Sequence, residues 1–193
     1  MIKLGITGGI GSGKSVVAQL LQLSKIPVYI ADEESKILTN TSPIIRKQLT
    51  NLFGKDIYTE NGLNKKRLAS YIFNNPEYLK QVNAIIHPEV NYHFQEWATK
   101  QQSEICAIES AILFESGFNQ YVDYSLIVYA PIEVRVMRVL ARDKASREEI
   151  IQRISNQMPD EQKKELSDYV IYNDDSHALL PQIQDLLSDL SSR

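Results

Sequence analysis

Gly8-Gly9-Ile10-Gly11-Ser12-Gly13-Lys14-Ser15 has the form G-x-x-x-x-G-K-[ST], the pattern of a phosphate-binding loop. Ahead of it, Ile2-Lys3-Leu4-Gly5-Ile6-Thr7 reads as a buried strand. Behind it, Val16-Val17-Ala18-Gln19-Leu20-Leu21 reads as a helix. Strand, glycine loop and helix in this order form the context the pattern needs. Glycines let the chain curl so that successive N–H groups face one anion. The helix that follows aims its positive dipole end at the same point. On this reading Lys14 reaches the β- and γ-phosphates of a nucleotide, and the Ser15 hydroxyl sits on Mg²⁺. A glycine-rich turn without a ligand is the alternative, and the strand-loop-helix context counts against it.

Downstream of the loop, Ile26-Pro27-Val28-Tyr29-Ile30-Ala31 suits a second buried strand and ends at Asp32-Glu33-Glu34. Open α/β sheets bind ligands beyond the carboxyl ends of their strands. Asp32 therefore stands where a kinase wants a carboxylate beside the acceptor hydroxyl. It also suits an N-cap for a helix over 33–39, and the two roles are compatible. From Thr41 to Gln102 the apolar spacing is helical throughout. Ser42 caps, Pro43 takes the first helical position, Ile45, Leu49, Leu52 and Phe53 share a face, and Gly54 ends the helix. Asn64 begins a second helix with Leu68 and Ile72 inward, and Asn75-Pro76 a third with Leu79, Val82 and Ile86. His87-Pro88 is expected to interrupt it, because proline disfavours helix at the residue before it. A fourth then carries Val90, Phe94, Trp97 and Ala98. This block is too long for a simple crossover. It reads either as an insertion holding a second substrate or as an added packing layer. His87 has no second His or Cys at metal-ligand spacing, so no zinc site is expected.

The sheet resumes at Ile105-Cys106-Ala107-Ile108 and ends in Glu109-Ser110, where Glu109 is a candidate acid for Mg²⁺. Ala111 to Gly117 turns back, and Tyr124 to Ala130 is the clearest buried strand. Pro131 opens a helix expected to bury Val134, Met137 and Ala141. It also carries Arg135, Arg138 and Arg142, with Arg147 and Arg153 beyond. These arginines suit a lid that closes over a triphosphate. They equally suit a solvated face paired with Asp143, Glu148 and Glu149. Ser146-Arg147-Glu148-Glu149 is a capping box. The last strand runs from Asp168 to Tyr172. Asn173, at its end, could read an adenine edge or simply make a turn. The tail over 179–190 is an amphipathic helix with Ile183, Leu186, Leu187 and Leu190 inward.

The 193 residues suffice for one sizeable domain with insertions, and 43% hydrophobic with 23% charged residues is ordinary for a globular chain. A formal net charge of -3 gives no reason to expect bulk binding of nucleic acid or a membrane surface. The single cysteine, Cys106, falls in an apolar run and reads as a buried hydrophobe. No apolar stretch approaches membrane-spanning length. The first strand begins at once, leaving no room for a signal peptide, and a cytoplasmic protein is expected. No strict heptad or exposed apolar patch marks an oligomer interface.

Five βα-type units predict an α/β fold, a parallel doubly wound five-stranded sheet. The expected division is a nucleotide-binding core (1–40, 103–137 and 167–193), an all-helical substrate-binding insertion (41–102) and a helical lid (138–166). Switch GTPases read guanine through Asn-Lys-x-Asp after a strand. The nearest stretch here, Asn64-Lys65-Lys66-Arg67, lacks the acid and lies in the helical block.

A small chain with a P-loop, a helical insertion and an arginine lid resembles the nucleoside-monophosphate-kinase-like group, and one family in particular, dephospho-coenzyme A kinase. The likeness runs over nearly the whole chain. It rests on Thr7 to Ser15, Ala31-Asp32, Ile85-Ile86-His87-Pro88, Ile112-Leu113-Phe114-Glu115, Arg138 with Arg142-Asp143, Arg153 with Gln157, and Asp168-Tyr169-Val170-Ile171 with Asn173. The resemblance implies transfer of the γ-phosphoryl of ATP, with Mg²⁺, to the 3′-hydroxyl of the ribose in dephospho-CoA. It implies ATP contacts at Gly9, Gly11, Ser12, Gly13, Lys14, Ser15, Val16, Arg142 and Asn173. Catalytic roles fall on Asp32 as general base, Lys14, Arg138 and Arg142. Asp32, His87 and Leu113 fall at the CoA substrate, and Ser15 at the metal. Three departures stand out: Ile30 where many members have a second Asp, Ala111 where many have Pro, and Val16 where Thr is common. A kinase for another small acceptor, and a P-loop module that binds nucleotide without transfer, are the competing readings.

Overall fold

The computed structural model describes residues 1–73 and 75–193. In chain order its elements are β1 (Ile2–Thr7), α1 (Lys14–Leu23), β2 (Val28–Ile30), α2 (Ala31–Thr41), α3 (Pro43–Phe53), β3 (Tyr58–Thr59), β4 (Gly62–Leu63), α4 (Lys65–Ile72), α5 (Pro76–Thr99), β5 (Ile105–Glu109), β6 (Tyr124–Tyr129), α6 (Ile132–Arg142), α7 (Arg147–Ser155), α8 (Asp160–Leu166), β7 (Tyr169–Tyr172) and α9 (Leu179–Ser191). They form two compact units, Met1–Ile30 with Lys100–Arg193, and Ala31–Thr99.

The first unit holds a five-stranded sheet in the order β2-β5-β1-β6-β7, parallel at every pairing. β1 is central: Ile2, Leu4 and Ile6 pack into one core, while Gly5 on the opposite face lies against Leu113. Leu4 and Ile6 are fully buried with Val17, Ala18 and Leu21 of α1 and Ile183, Leu186 and Leu190 of α9. Each Val, Leu or Ile side chain among them contributes about 1.5–3 kcal/mol of burial. Parallel pairing also gathers the strand ends: the turns after β1, β5, β6 and β7 leave the sheet at one edge. Cys106 is buried in β5, and burial pushes its thiol pKa up.

In the second unit the predicted caps are in place. Ser42 Oγ accepts from Ile45 N at 3.3 Å, Asn64 Oδ1 from Arg67 N at 3.1 Å, and Asn75 Oδ1 from Tyr78 N at 3.1 Å. Ile45, Leu49, Phe53, Ile57 and Val82 form its core, and Phe53 stacks on Tyr71 with ring centroids 4.7 Å apart.

Two features differ from expectation. His87-Pro88 does not interrupt the third helix, because α5 runs through it for 24 residues. Val82, Val90, Phe94 and Ala98 are buried along α5, with Ile86 packed on the core that holds Val82. This stripe recurs every four residues, and its packing outweighs the roughly 3 kcal/mol that an internal proline costs. Pro88 itself faces out. The block also contains a two-stranded ribbon, β3 with β4, pairing Tyr58 with Leu63 and Thr59 with Gly62. Its turn ends at Gly62, with φ at +97°, and Asn61-Gly62 was the available hairpin signal.

Candidate phosphate-binding site

The loop between β1 and α1 has the predicted shape. Gly11 has φ at +82° and Gly13 +90°, values that favour glycine at both places. Gly13 is the residue ahead of α1, which has no side-chain cap and no acid in its first turn. Ser12 N donates to Gly9 O at 3.0 Å, and Val16 N to Gly13 O at 2.9 Å. The loop and the start of α1 line a cleft with Arg138 and Arg142 of α6. Lys14 Nζ lies 3.3 Å from Glu109 Oε1, with side chains 16% and 5% exposed. The Ser15 side chain is exposed beside it. Amides, a lysine, two arginines and a hydroxyl thus converge on one small opening, an arrangement built for a polyphosphate.

The outer side of the loop is held by residues that the sequence reading did not weigh as supports. Arg135 Nε donates to Ile10 O at 2.9 Å, and its Nη1 donates to Asp160 Oδ2 at 2.6 Å. Gln157 Oε1 accepts from Ile10 N at 3.3 Å. Asn173 Nδ2 donates to Ser12 O at 2.8 Å, and a Cβ on Gly13 would collide with that same nitrogen. Asn173 therefore ties the end of β7 to the loop. The expected inward face of α6 is rotated: Arg135, Val136 and Val139 are buried, while Met137 is 66% exposed.

The other arginines have surface partners. Arg138 donates to Asn173 O at 2.9 Å and to Asp175 Oδ1 at 2.6 Å. Arg142 Nε donates to Asp143 Oδ1 at 2.8 Å, which raises the Arg142 pKa and lowers that of Asp143. Arg147 pairs with Glu133, and Arg153 with Asp143. Arg138 and Arg142 nevertheless border the cleft.

Leu113 sits in the core. Its side chain is fully buried and lies against Gly5 of β1, where an added Cβ would come within 2.8 Å of it. The turn around it is fixed by another residue not singled out, Lys163, which is fully buried. Lys163 Nζ donates to Ala111 O at 2.6 Å and lies 2.9 Å from Glu115 Oε1. Glu115 in turn accepts from Met158 N at 2.9 Å.

Asp32 and His87 belong to the second unit. Asp32 is exposed in the first turn of α2, which begins one residue earlier at Ala31. It is thus inside the helix rather than its N-cap, because the helix starts directly from the end of β2. His87 is half-buried in mid-α5, and burial lowers its pKa.

The dephospho-CoA kinase family model matches residues 2–178. The chain belongs to that family. A dephospho-CoA kinase from Bacteroides fragilis is 52% identical over 190 residues, covering 98% of this chain and 93% of its own. One from Porphyromonas gingivalis is 44% identical, covering 100% and 96%. A crystal structure from Thermus thermophilus superposes with a TM-score of 0.82 at 34% identity, covering 99% of this chain and 96% of that one. Shikimate kinases such as that of Acinetobacter baumannii, at a TM-score of 0.55 and 15% identity, share the fold.

Kinases of this family take ATP, and the residues present fit Mg²⁺ with it. Among the described residues no group of three or more His, Cys, Asp or Glu could hold a metal alone. Mg²⁺ is commonly held by one or two protein oxygens together with substrate phosphates and water. The exposed Ser15 hydroxyl and the Glu109 carboxylate are suitable oxygens. No helix among the described residues is long and apolar enough to cross a membrane.

Proposed function

We propose that this chain transfers the γ-phosphoryl group of ATP to the 3′-hydroxyl of the ribose of dephospho-CoA, giving CoA and ADP. The observation that carries the reading is the cationic cleft, where Lys14, Arg138 and Arg142 surround the P-loop amides in a chain of this family. Phosphoryl transfer runs through a loose transition state with charge spread over the equatorial oxygens, so catalysis is mostly positioning and electrostatics. Lys14 exchanges Glu109 for the β- and γ-phosphate oxygens when nucleotide enters. The amides of Gly11, Ser12, Gly13, Lys14, Ser15 and Val16 cradle the phosphates, and Asn173 holds the loop beside the adenine. Arg138 and Arg142 leave Asp175 and Asp143 for the triphosphate as residues 138–166 close over it and exclude water. Ser15 would hold Mg²⁺, which would supply charge neutralisation at the phosphate oxygens.

The acceptor enters residues 41–102, with His87 among its contacts. Asp32 orients the 3′-hydroxyl and accepts its proton as the new P–O bond forms. The bond from the γ-phosphorus to the bridging oxygen breaks, and ADP departs with the electron pair. Such ATP-dependent chemistry belongs in the cytoplasm.

The test is ADP release with Mg-ATP and a panel of dephospho-CoA, AMP, shikimate or no acceptor. Turnover with dephospho-CoA alone, giving a 3′-phosphorylated product, is the expected result. Preference for another acceptor would keep the fold and overturn the assignment of residues 41–102. Release without acceptor preference would favour a nucleotide-binding module.

A further inference from the structure

Arg135 occupies an unusual place for an arginine. It lies mid-helix in α6 yet is 4% exposed, and its partner Asp160 at the start of α8 has a side chain 7% exposed. Neither borders the phosphate cleft. Both line a larger, mostly apolar cleft with Ile132, Ile151 and Ile154.

What the pair touches is the loop. Arg135 Nε holds Ile10 O, and Arg135 Nη1 holds Asp160 Oδ2. A Cβ added at Gly9 would strike the Arg135 guanidinium and come within 2.7 Å of Asp160 Oδ1, and one at Gly11 would come within 2.5 Å of Arg135 O. Residues 9–11 are thus cast against α6 and Asp160.

Stability alone does not account for burying these charges. A buried ion pair is often replaceable by apolar residues of similar size at no cost. What apolar residues cannot supply is the planar fork of arginine, which fixes carbonyl and carboxylate in one geometry. We propose that Arg135 and Asp160 are positioning residues that set residues 9–11 so that the amides from Gly11 onward converge on the phosphates. The proposal rests on the nucleotide-binding role of this loop argued above.

The experiment compares Arg135→Lys, Asp160→Ala and the apolar pair Arg135→Met/Asp160→Leu with the parent chain. Mg-ADP affinity is measured by calorimetry, KM for ATP and for dephospho-CoA by turnover, and folding by thermal melting. Lysine keeps a cation for Asp160 but cannot hold Ile10 O and Asp160 together. Arg135→Lys is expected to weaken ADP binding and raise KM for ATP about tenfold, leaving KM for dephospho-CoA unchanged. The apolar pair is expected to melt within a few degrees of the parent while losing ADP affinity at least as much. ADP affinity within twofold of the parent in Arg135→Lys and in the folded apolar pair overturns the proposal. So does an equal rise in both KM values, which would mark a general loss of structure. ADP binding also keeps the two ideas separate. A parent chain that binds ADP but ignores dephospho-CoA would refute the proposed acceptor and leave this test standing.

Discussion

Lys14→Met tests the site through two separable effects. The lysine lies 3.3 Å from Glu109, whose side chain is 5% exposed against 16% for Lys14. At an effective dielectric of about 20, two charges at that spacing attract by roughly 5 kcal/mol before desolvation is counted. Removing one partner of a buried pair costs about 3–5 kcal/mol. The residual exposure of Lys14 puts this case at the lower end, about 3 kcal/mol. For a chain of this size that lowers the melting midpoint by roughly 6–12 °C. Turnover falls much further, by about 10³-fold, because a preorganised charge aimed at the transferring group is lost. Adding Glu109→Gln separates the effects: the double variant recovers most of the melting temperature and none of the turnover. The assays are thermal melting and ADP release with saturating ATP and dephospho-CoA. Turnover of Lys14→Met within tenfold of the parent would refute the catalytic reasoning. A double variant as unstable as the single one would refute the electrostatic account of the pair.

Asp32→Asn is expected to leave Mg-ADP affinity nearly unchanged and to cut kcat by about 10²-fold or more, as for loss of a general base. An equal loss of ADP affinity would make Asp32 a metal or structural group. Leu113→Ala opens a cavity in the core and is expected to cost about 3 kcal/mol in denaturant unfolding, with KM for dephospho-CoA unchanged. A raised KM with parental stability would return Leu113 to the substrate. Burial lowers the His87 pKa below its ordinary 6.5, so the folded chain binds that proton less tightly than the unfolded one. His87 therefore costs no stability above pH 6.5, and stability is lost as pH falls from 6.5 through the folded value. Unfolding at pH 7.5, 6.5 and 5.5 is expected to show this loss in the parent and a flatter profile in His87→Gln; parallel profiles would refute it.

The sheet and the loop were legible because their signals are local. A central parallel strand is a short apolar run, and the spacing from Gly8 to Ser15 allows few shapes between a strand and a helix. The caps at Ser42, Asn64 and Ser146 were legible for the same reason, since each bond closes within three residues. α6 was misread because its inward face is decided elsewhere. A periodicity count takes arginine as outward and selects Val134, Met137 and Ala141. Burial of Arg135 depends on Asp160, 25 residues on, and a window over the helix does not contain it. Lys163 was hidden likewise, its partners lying 52 and 48 residues back at Ala111 and Glu115. The burial of Leu113 against Gly5 of β1 is equally long-range. Proline rules ended α5 at His87, whereas the four-residue apolar rhythm on both sides of Pro88 carries the helix through.

The buried face of α6 has a physical cause. A loop that binds phosphate through its backbone has main-chain groups on two sides. Those facing the ligand must stay available, and those facing the protein must be satisfied within it, because a buried main-chain group without a partner costs as much as a lost hydrogen bond. Ile10 O, Ile10 N and Ser12 O are groups on the protein side. They are met by Arg135, Gln157 and Asn173. The motif specifies the ligand side, since every phosphate is alike and demands the same amides. The protein side is free to be solved by whatever long polar side chains the neighbouring elements bring, so no short pattern encodes it. The residues that sequence reading overlooks at such a site are therefore the ones that set how well its legible half works.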